Sequence, residues 1–306
     1  MNKRTRLLNC LTGKDYDRIP GSFWHHFPES EWFGPTAVKA HLRLYREAGL
    51  DFIKIMEEIH YTFDIKSAMD WKRYMPPKRN APERVAQREL ISRIADELAE
   101  ECVVYTTIFD PLRTTGYPMG YDVIESHISE NIKSVSGAFM AMAESTAEFA
   151  ADCIAAGADG IFFSTKGAEK GRFSPEVFES VVENPDRFIC DAAAERSALN
   201  ILHICGLDTE LKNYMDFPAA AVNWDCHSGC YDLNKGALVF PDKVILGGME
   251  NRSGVLVNGS ETEIREAVSE ITKDFKAENR FILGADCTLP EDVEYDRIRT
   301  AIDSLG

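Results

Sequence analysis

Three side chains with soft donor atoms set the first chemical question. His203-Ile204-Cys205 places an imidazole and a thiol two residues apart, and Cys287 stands far downstream in Gly284-Ala285-Asp286-Cys287. In an extended segment alternate residues share a side, so His203 and Cys205 project together. Imidazole nitrogen and thiolate sulfur suit a borderline-soft cation such as Zn2+, and three protein ligands leave the open position typical of catalytic zinc. The competing reading makes His203 and Cys205 ordinary core residues of a strand. A rival cluster, Cys226-His227-Ser228-Gly229-Cys230, lacks the two separated Cys/His pairs of structural zinc sites. Asp225, Cys226 or His227 could instead complete the first set as a fourth ligand. Glu57, Asp225 and Glu250 are candidates for acid/base or orienting roles, with surface placement as the alternative for Glu57 and Glu250. His25 and His26, with Trp24 beside them, are candidates to line a substrate pocket or to close the fold.

These residues sit at the ends of short apolar runs. Eight runs are predicted as strands: 18–24, 51–56, 102–109, 160–164, 200–205, 219–224, 243–247 and 280–284. Helical spacing is predicted for 36–48, 136–156, 175–184, 185–197 and 261–278, with Gly49 and Gly157 as stops and Ser174-Pro175 as a start. The Pro- and charge-rich stretch 75–88 reads as a surface excursion before a helix. Strands alternating with helices imply a parallel sheet, and eight units imply a single (β/α)8 barrel spanning residues 1–306. An open doubly wound sheet is the weaker alternative, because no Gly-rich phosphate fingerprint follows an early strand. In a barrel the strand C-termini converge on one face, so His25, His26, Glu57, Asp110, His203, Asp225 and Glu250 would share a mouth.

Composition narrows the partners. The 306 residues carry 34 Lys plus Arg against 50 Asp plus Glu, a net charge of −16. That balance argues against nucleic-acid binding and against docking on anionic membranes. No apolar run approaches the ~18 residues of a membrane helix, and no signal-peptide core follows the basic start, so a cytoplasmic location is expected. The eight cysteines are then thiols, with Cys10, Cys102, Cys153 and Cys190 expected in the core.

Arg6-Leu7-Leu8 with Gly13, Asp17-Arg18-Ile19-Pro20, Gly49-Leu50-Asp51, His203-Ile204-Cys205-Gly206, Asn223-Trp224-Asp225, Gly247-Gly248-Met249 and Gly284-Ala285-Asp286-Cys287 together resemble the uroporphyrinogen decarboxylase superfamily over nearly the whole chain. The resemblance implies a (β/α)8 barrel. It also implies one of two activities: cofactor-free decarboxylation of uroporphyrinogen, or zinc-dependent methyl transfer between a corrinoid and a thiol. The decarboxylases carry an Arg-rich loop after the first strand for their substrate's carboxylates, yet residues 21–30 contain no arginine. They place His near the end of the eighth strand, where this chain has Cys287. Asp51 falls where the decarboxylases have a substrate-binding Asp, although the methyltransferase-like branch also has Asp there.

His203, Cys205 and Cys287 match the methyltransferase zinc motif, and Asp225 is a possible counterpart of the Glu that cobalamin-independent methionine synthases add. The resemblance thus implies Zn2+ as cofactor, a corrinoid on a separate partner protein, and a small thiol or methyl-donor substrate. A non-catalytic barrel that binds a corrinoid protein is the third reading. The oligomeric state stays open, a homodimer included.

Overall fold

The computed structural model describes residues 1–98, 100–275 and 280–306. Among the described residues seven strands form one parallel sheet in sequence order: β1 (Phe52–Ile55), β2 (Val103–Phe109), β3 (Gly160–Thr165), β4 (Ile201–Ile204), β5 (Ala221–Trp224), β6 (Val244–Met249) and β7 (Phe281–Ala285). The eighth predicted run, 18–24, is not a regular strand, but it fills the gap between β7 and β1. Ser22 N donates to Leu283 O and Leu283 N to Pro20 O, while Asp51 N reaches Gly21 O on the other side. Pro20 has no N–H to give, so this segment makes isolated bridges at Gly21 and His25 in place of a ladder. The barrel is therefore closed, with one irregular stave.

The helices follow their end signals. The helix Gly34–Ala48 stops at Gly49, whose φ of 75° is the left-handed C-cap that glycine tolerates. The predicted helix at 136–156 is the second part of a longer one, Tyr121–Ala155, broken at Asn131 (φ −155°, ψ 75°). The two helices predicted over 175–197 run together as Pro175–Phe178, a wider turn Glu179–Glu183, and Asn184–Ala194. Ser260 and Glu263 form a capping box at the start of Glu261–Asp274. The predicted end of that helix at Glu278 lies outside the described residues.

Two layers fill the barrel. The lower one is apolar: Phe52, Val103, Tyr105, Ile201, Ala221, Val244 and Ile282, plugged by Leu7 and Cys10 of the helix Lys3–Leu11. Period-two alternation then sends Lys54, Thr107, Ser164, His203 and Asn223 inward one step nearer the strand C-termini. All five are buried. The closed end is thus dry and greasy, and the polar layer faces the mouth.

A candidate metal centre at the barrel mouth

His203 lies in β4, Cys205 directly follows it, and Cys287 follows β7. His203 Nε2 and Cys287 Sγ are 3.4 Å apart. Donor atoms of His203, Cys205 and Cys287 all lie within 4.8 Å of one another. Cys205 keeps its place because its N–H extends the ladder to Thr165 O at 2.9 Å. Gly206 then turns with φ 140°, where a Cβ would stand 3.0 Å from the Glu169 side chain. Cys287 is held well below the usual thiol range by the Cys205 S–H and by His203, and Cys205 is pushed up in return. His203 is 4% exposed, and its Nδ1 is buried without a partner. One imidazole and two thiols converging in this way fit Zn2+.

The rival cluster is assembled differently from its sequence reading. Cys226 Sγ is 3.2 Å from Asp286 Oδ1, and His227 Nδ1 is 2.7 Å from Asp286 Oδ2. Asp286, absent from the sequence-based candidates, takes the place expected for Cys230. Cys230 instead accepts from Lys170 Nζ at 2.8 Å. The hydrogen bond to Asp286 raises the His227 pKa, and burial raises that of Asp286. Neither Cys226 nor His227 joins the His203 set within that same spacing.

A cleft of about 730 Å3, open solvent included, is lined by His26, Phe27, Trp32, Glu57, Glu58, Phe109, Arg113 and Tyr117 among others. It occupies the same C-terminal face. Burial pushes Glu57 up to about 7, with the Tyr61 hydroxyl donating at 3.4 Å. His26 Nδ1 pairs with Glu58 at 2.9 Å. Arg113 stacks over Phe109 and Tyr117 at 4.8 and 4.3 Å.

Several predicted site residues serve the scaffold instead. Asp51 precedes β1 and so lies at the closed end, away from the cleft. Its fully buried carboxylate accepts from Arg6 Nη1 (2.7 Å), Arg18 Nη1 (2.7 Å) and Gly21 N (2.8 Å). That is a buried ion-pair network pinning the irregular stave, so the substrate-binding expectation for Asp51 is corrected. His25 is 2% exposed and bonds His26 O at 2.6 Å and Tyr295 OH at 3.2 Å, facing the outer helices. Trp24 packs inside the barrel, 4.9 Å from the Phe162 ring. Asp225 accepts from the His227 and Ser228 backbone and pairs with Arg252. Glu250 accepts from the Arg252 and Ser253 backbone. Both brace mouth loops, and neither lines the cleft. Of the predicted cleft residues, Glu57 and His26 are there. Cys10, Cys102, Cys153 and Cys190 are buried free thiols, as expected.

The sequence reading missed Lys54. It is 5% exposed, its Nζ lies 4.8 Å from the Trp24 ring and 4.3 Å from the Phe162 ring, and burial pushes its pKa down to about 7. The signal was present in the alternation Phe52, Lys54, Met56, which puts one charge on an otherwise apolar face.

The family model described as uroporphyrinogen decarboxylase (URO-D) matches residues 47–305, and the chain belongs to that family. No curated protein matches it. Among solved structures, a methyltransferase from Methanosarcina mazei aligns over 99% of this chain and 98% of its own, with a TM-score of 0.76 and 15% identity. A B12-independent methionine synthase from Shewanella sp. W3-18-1 aligns over 94% and 96%, with a TM-score of 0.54 and 12% identity. At these identities the likeness is one of fold. Among the described residues no helix is long and apolar enough to cross a membrane.

Proposed function

We propose that this protein is a zinc-dependent methyltransferase that moves a methyl group between a corrinoid, carried on a separate protein, and a small thiol. The observation that carries the reading is the convergence of the His203, Cys205 and Cys287 donors within 4.8 Å at the barrel mouth. The structural likeness to a methyltransferase and to a methionine synthase, over nearly full lengths, supports it. When bound, Zn2+ supplies the charge that strips a thiol of its proton at neutral pH.

The chain's own residues prepare that site. His203 presents Nε2 from a strand, its ring tilted against Phe162 with the centroids 5.7 Å apart. Cys205 and His203 hold the Cys287 thiol below its ordinary range, and Cys287 pushes that of Cys205 up in return. Two anionic sulfurs make the centre electron-rich, which favours a nucleophilic thiol over hydrolysis. Phe27, Trp32, Phe109 and Tyr117 give the cleft on the same barrel face apolar walls that displace water. Glu57, pushed up to about 7 by burial, can give or take a proton there. The free thiols suit a reducing compartment such as the cytoplasm.

Decarboxylation of a porphyrinogen with many carboxylates fits less well. Loop 21–30 has no arginine, and Arg6 and Arg18 are committed to Asp51 at the closed end. Arg113 is the one arginine among the residues lining the cleft. The test is transfer from methylcobalamin to a panel of small thiols by zinc-loaded protein, with uroporphyrinogen as the comparison substrate. Methylated thiol, abolished in Cys205→Ser, supports the reading. Decarboxylation of uroporphyrinogen by metal-free protein, without methyl transfer, overturns it.

A further inference from the structure

We infer that Cys226, His227 and Asp286 form a second, exchangeable site for a borderline divalent cation such as Zn2+. It is separate from the His203 centre and clamps the loop after β5 to the loop after β7. The inference does not depend on the methyltransferase reading.

Among the described residues two groups of three soft or acidic donors come within 4.8 Å of one another, and this is the one that the proposed methyl transfer leaves unused. Cys226 Sγ lies 3.5 Å from His227 Nδ1 and 3.2 Å from Asp286 Oδ1, and His227 Nδ1 lies 2.7 Å from Asp286 Oδ2. Ligands bound at about 2.0–2.3 Å in a tetrahedron stand about 3.3–3.6 Å from one another. The thiol is therefore already near ligand spacing from both partners. The imidazole and carboxylate need to part by roughly half an ångström, their hydrogen bond giving way to bonds to the ion. His227 has room for that move, since its side chain is 44% exposed. One sulfur, one nitrogen and one oxygen are donors that Zn2+ accepts together, with water in the fourth position.

The surroundings also call for a cation. The Asp286 carboxylate is fully buried, and among the described residues it pairs with His227 and with no lysine or arginine. Arg252, the guanidinium of this corner, is spent on Asp225 at 3.2 Å and Glu250 at 3.7 Å. A buried carboxylate needs a counter-charge, and an ion bound here supplies one. The backbone is set in advance. Asp225 Oδ1 accepts from His227 N at 3.1 Å and Ser228 N at 2.9 Å, while Cys226 N donates to Asp286 Oδ1 at 3.2 Å. The turn held in this way aims two adjacent side chains, Cys226 and His227, at one carboxylate. Because β6 lies between β5 and β7, an ion on this triad ties two loops across the intervening stave. With one sulfur and a half-exposed imidazole, the site holds its ion more weakly than the two-thiol centre proposed above, and releases it when free metal is removed.

The experiment is equilibrium dialysis of the untagged full chain against graded free Zn2+, with zinc counted by elemental analysis and the thermal midpoint read at each step. It is run on wild type and on Cys205→Ser, each alone and combined with Cys226→Ser or His227→Gln. Neither Cys226 nor His227 is fully buried, and the metal-free midpoint checks that each variant folds. Wild type is expected to take up about one zinc per chain beyond what survives desalting, as one three-donor site holds. Cys205→Ser is expected to keep that exchangeable ion, with a midpoint that rises with free zinc, as for any ligand of the folded state. Either added substitution should weaken the uptake by about tenfold or more and remove the rise. No exchangeable zinc in Cys205→Ser, or uptake that neither substitution weakens, overturns the site. Wild type that retains no zinc on desalting, yet binds an exchangeable ion that His227→Gln weakens, overturns the His203 centre and leaves this site standing.

Discussion

Asp51→Ala tests whether the irregular stave is held as the structure shows. The Asp51 carboxylate is fully buried and accepts from two guanidinium groups and from Gly21 N. Removing one partner of a buried ion pair costs about 3–5 kcal/mol, because the other charge is stranded. Here part of the loss is cushioned: Arg6 retains Asp17 at 2.7 and 2.8 Å, and Arg18 retains Ile19 O at 2.9 Å. The lower end, about 3 kcal/mol, is therefore expected. At about 2 °C per kcal/mol for a chain of this size, Tm falls by roughly 6 °C. Asp51→Asn keeps the shape and one acceptor, so it should lose less. The assay is a thermal scan at fixed rate, with zinc content measured on the same samples. Zinc content should not change, because Asp51 precedes β1 and lies at the end of the barrel opposite the proposed metal centre. A Tm shift under ~1 °C would refute the reasoning, and a selective loss of substrate binding at unchanged Tm would return Asp51 to the substrate site.

Other expectations follow from single environments. Glu57 is pushed up to about 7 by burial, so the native state holds its proton where the unfolded chain, with a pKa of ~4.3, has lost it. Stability should therefore fall as pH rises from about 4.3 to about 7. Glu57→Gln should raise Tm relative to wild type at pH 8 and make no difference at pH 4, and an equal Tm at pH 8 would contradict the burial argument. Gly236→Ala would drive a Cβ to 2.0 Å from the Trp224 ring. Because that indole is also fixed by its bond to Tyr231 O, overpacking should cost about 1–3 kcal/mol in denaturant titration. Ser260→Ala removes the capping box of Glu261–Asp274 and should cost about 1 kcal/mol, most of it recovered by Ser260→Asp.

The barrel was legible because its staves are short β-branched runs, such as Val103–Phe109, ended by turn and capping residues. The stave at 18–24 misled in detail, since an apolar run with a proline looks the same whether or not its ladder forms. The convergence of His203, Cys205 and Cys287 was legible because period-two spacing forces His203 and Cys205 to one side and strand order brings Cys287 to the same end. Carboxylates were harder. Glu57, Asp51, Asp225 and Glu250 all flank apolar runs, yet one lines the cleft, one anchors the closed end and two brace loops. Their roles depend on partners distant in sequence, Arg18 for Asp51 and Arg252 for Asp225, which spacing does not reveal. Asp286 was overlooked beside Cys287 because adjacent residues at a strand end serve different neighbours. Lys54 was overlooked because its charge was taken as part of an apolar strand, when alternation pointed it inwards.

Elemental analysis of purified wild type and Cys287→Ser, both prepared anaerobically with zinc supplied, bears most directly on the central claim. The account predicts about one zinc per chain in wild type, as a three-ligand catalytic site would hold, and its loss in the variant. No zinc in wild type, or equal zinc in both proteins, would contradict the assignment of His203, Cys205 and Cys287 as a metal centre.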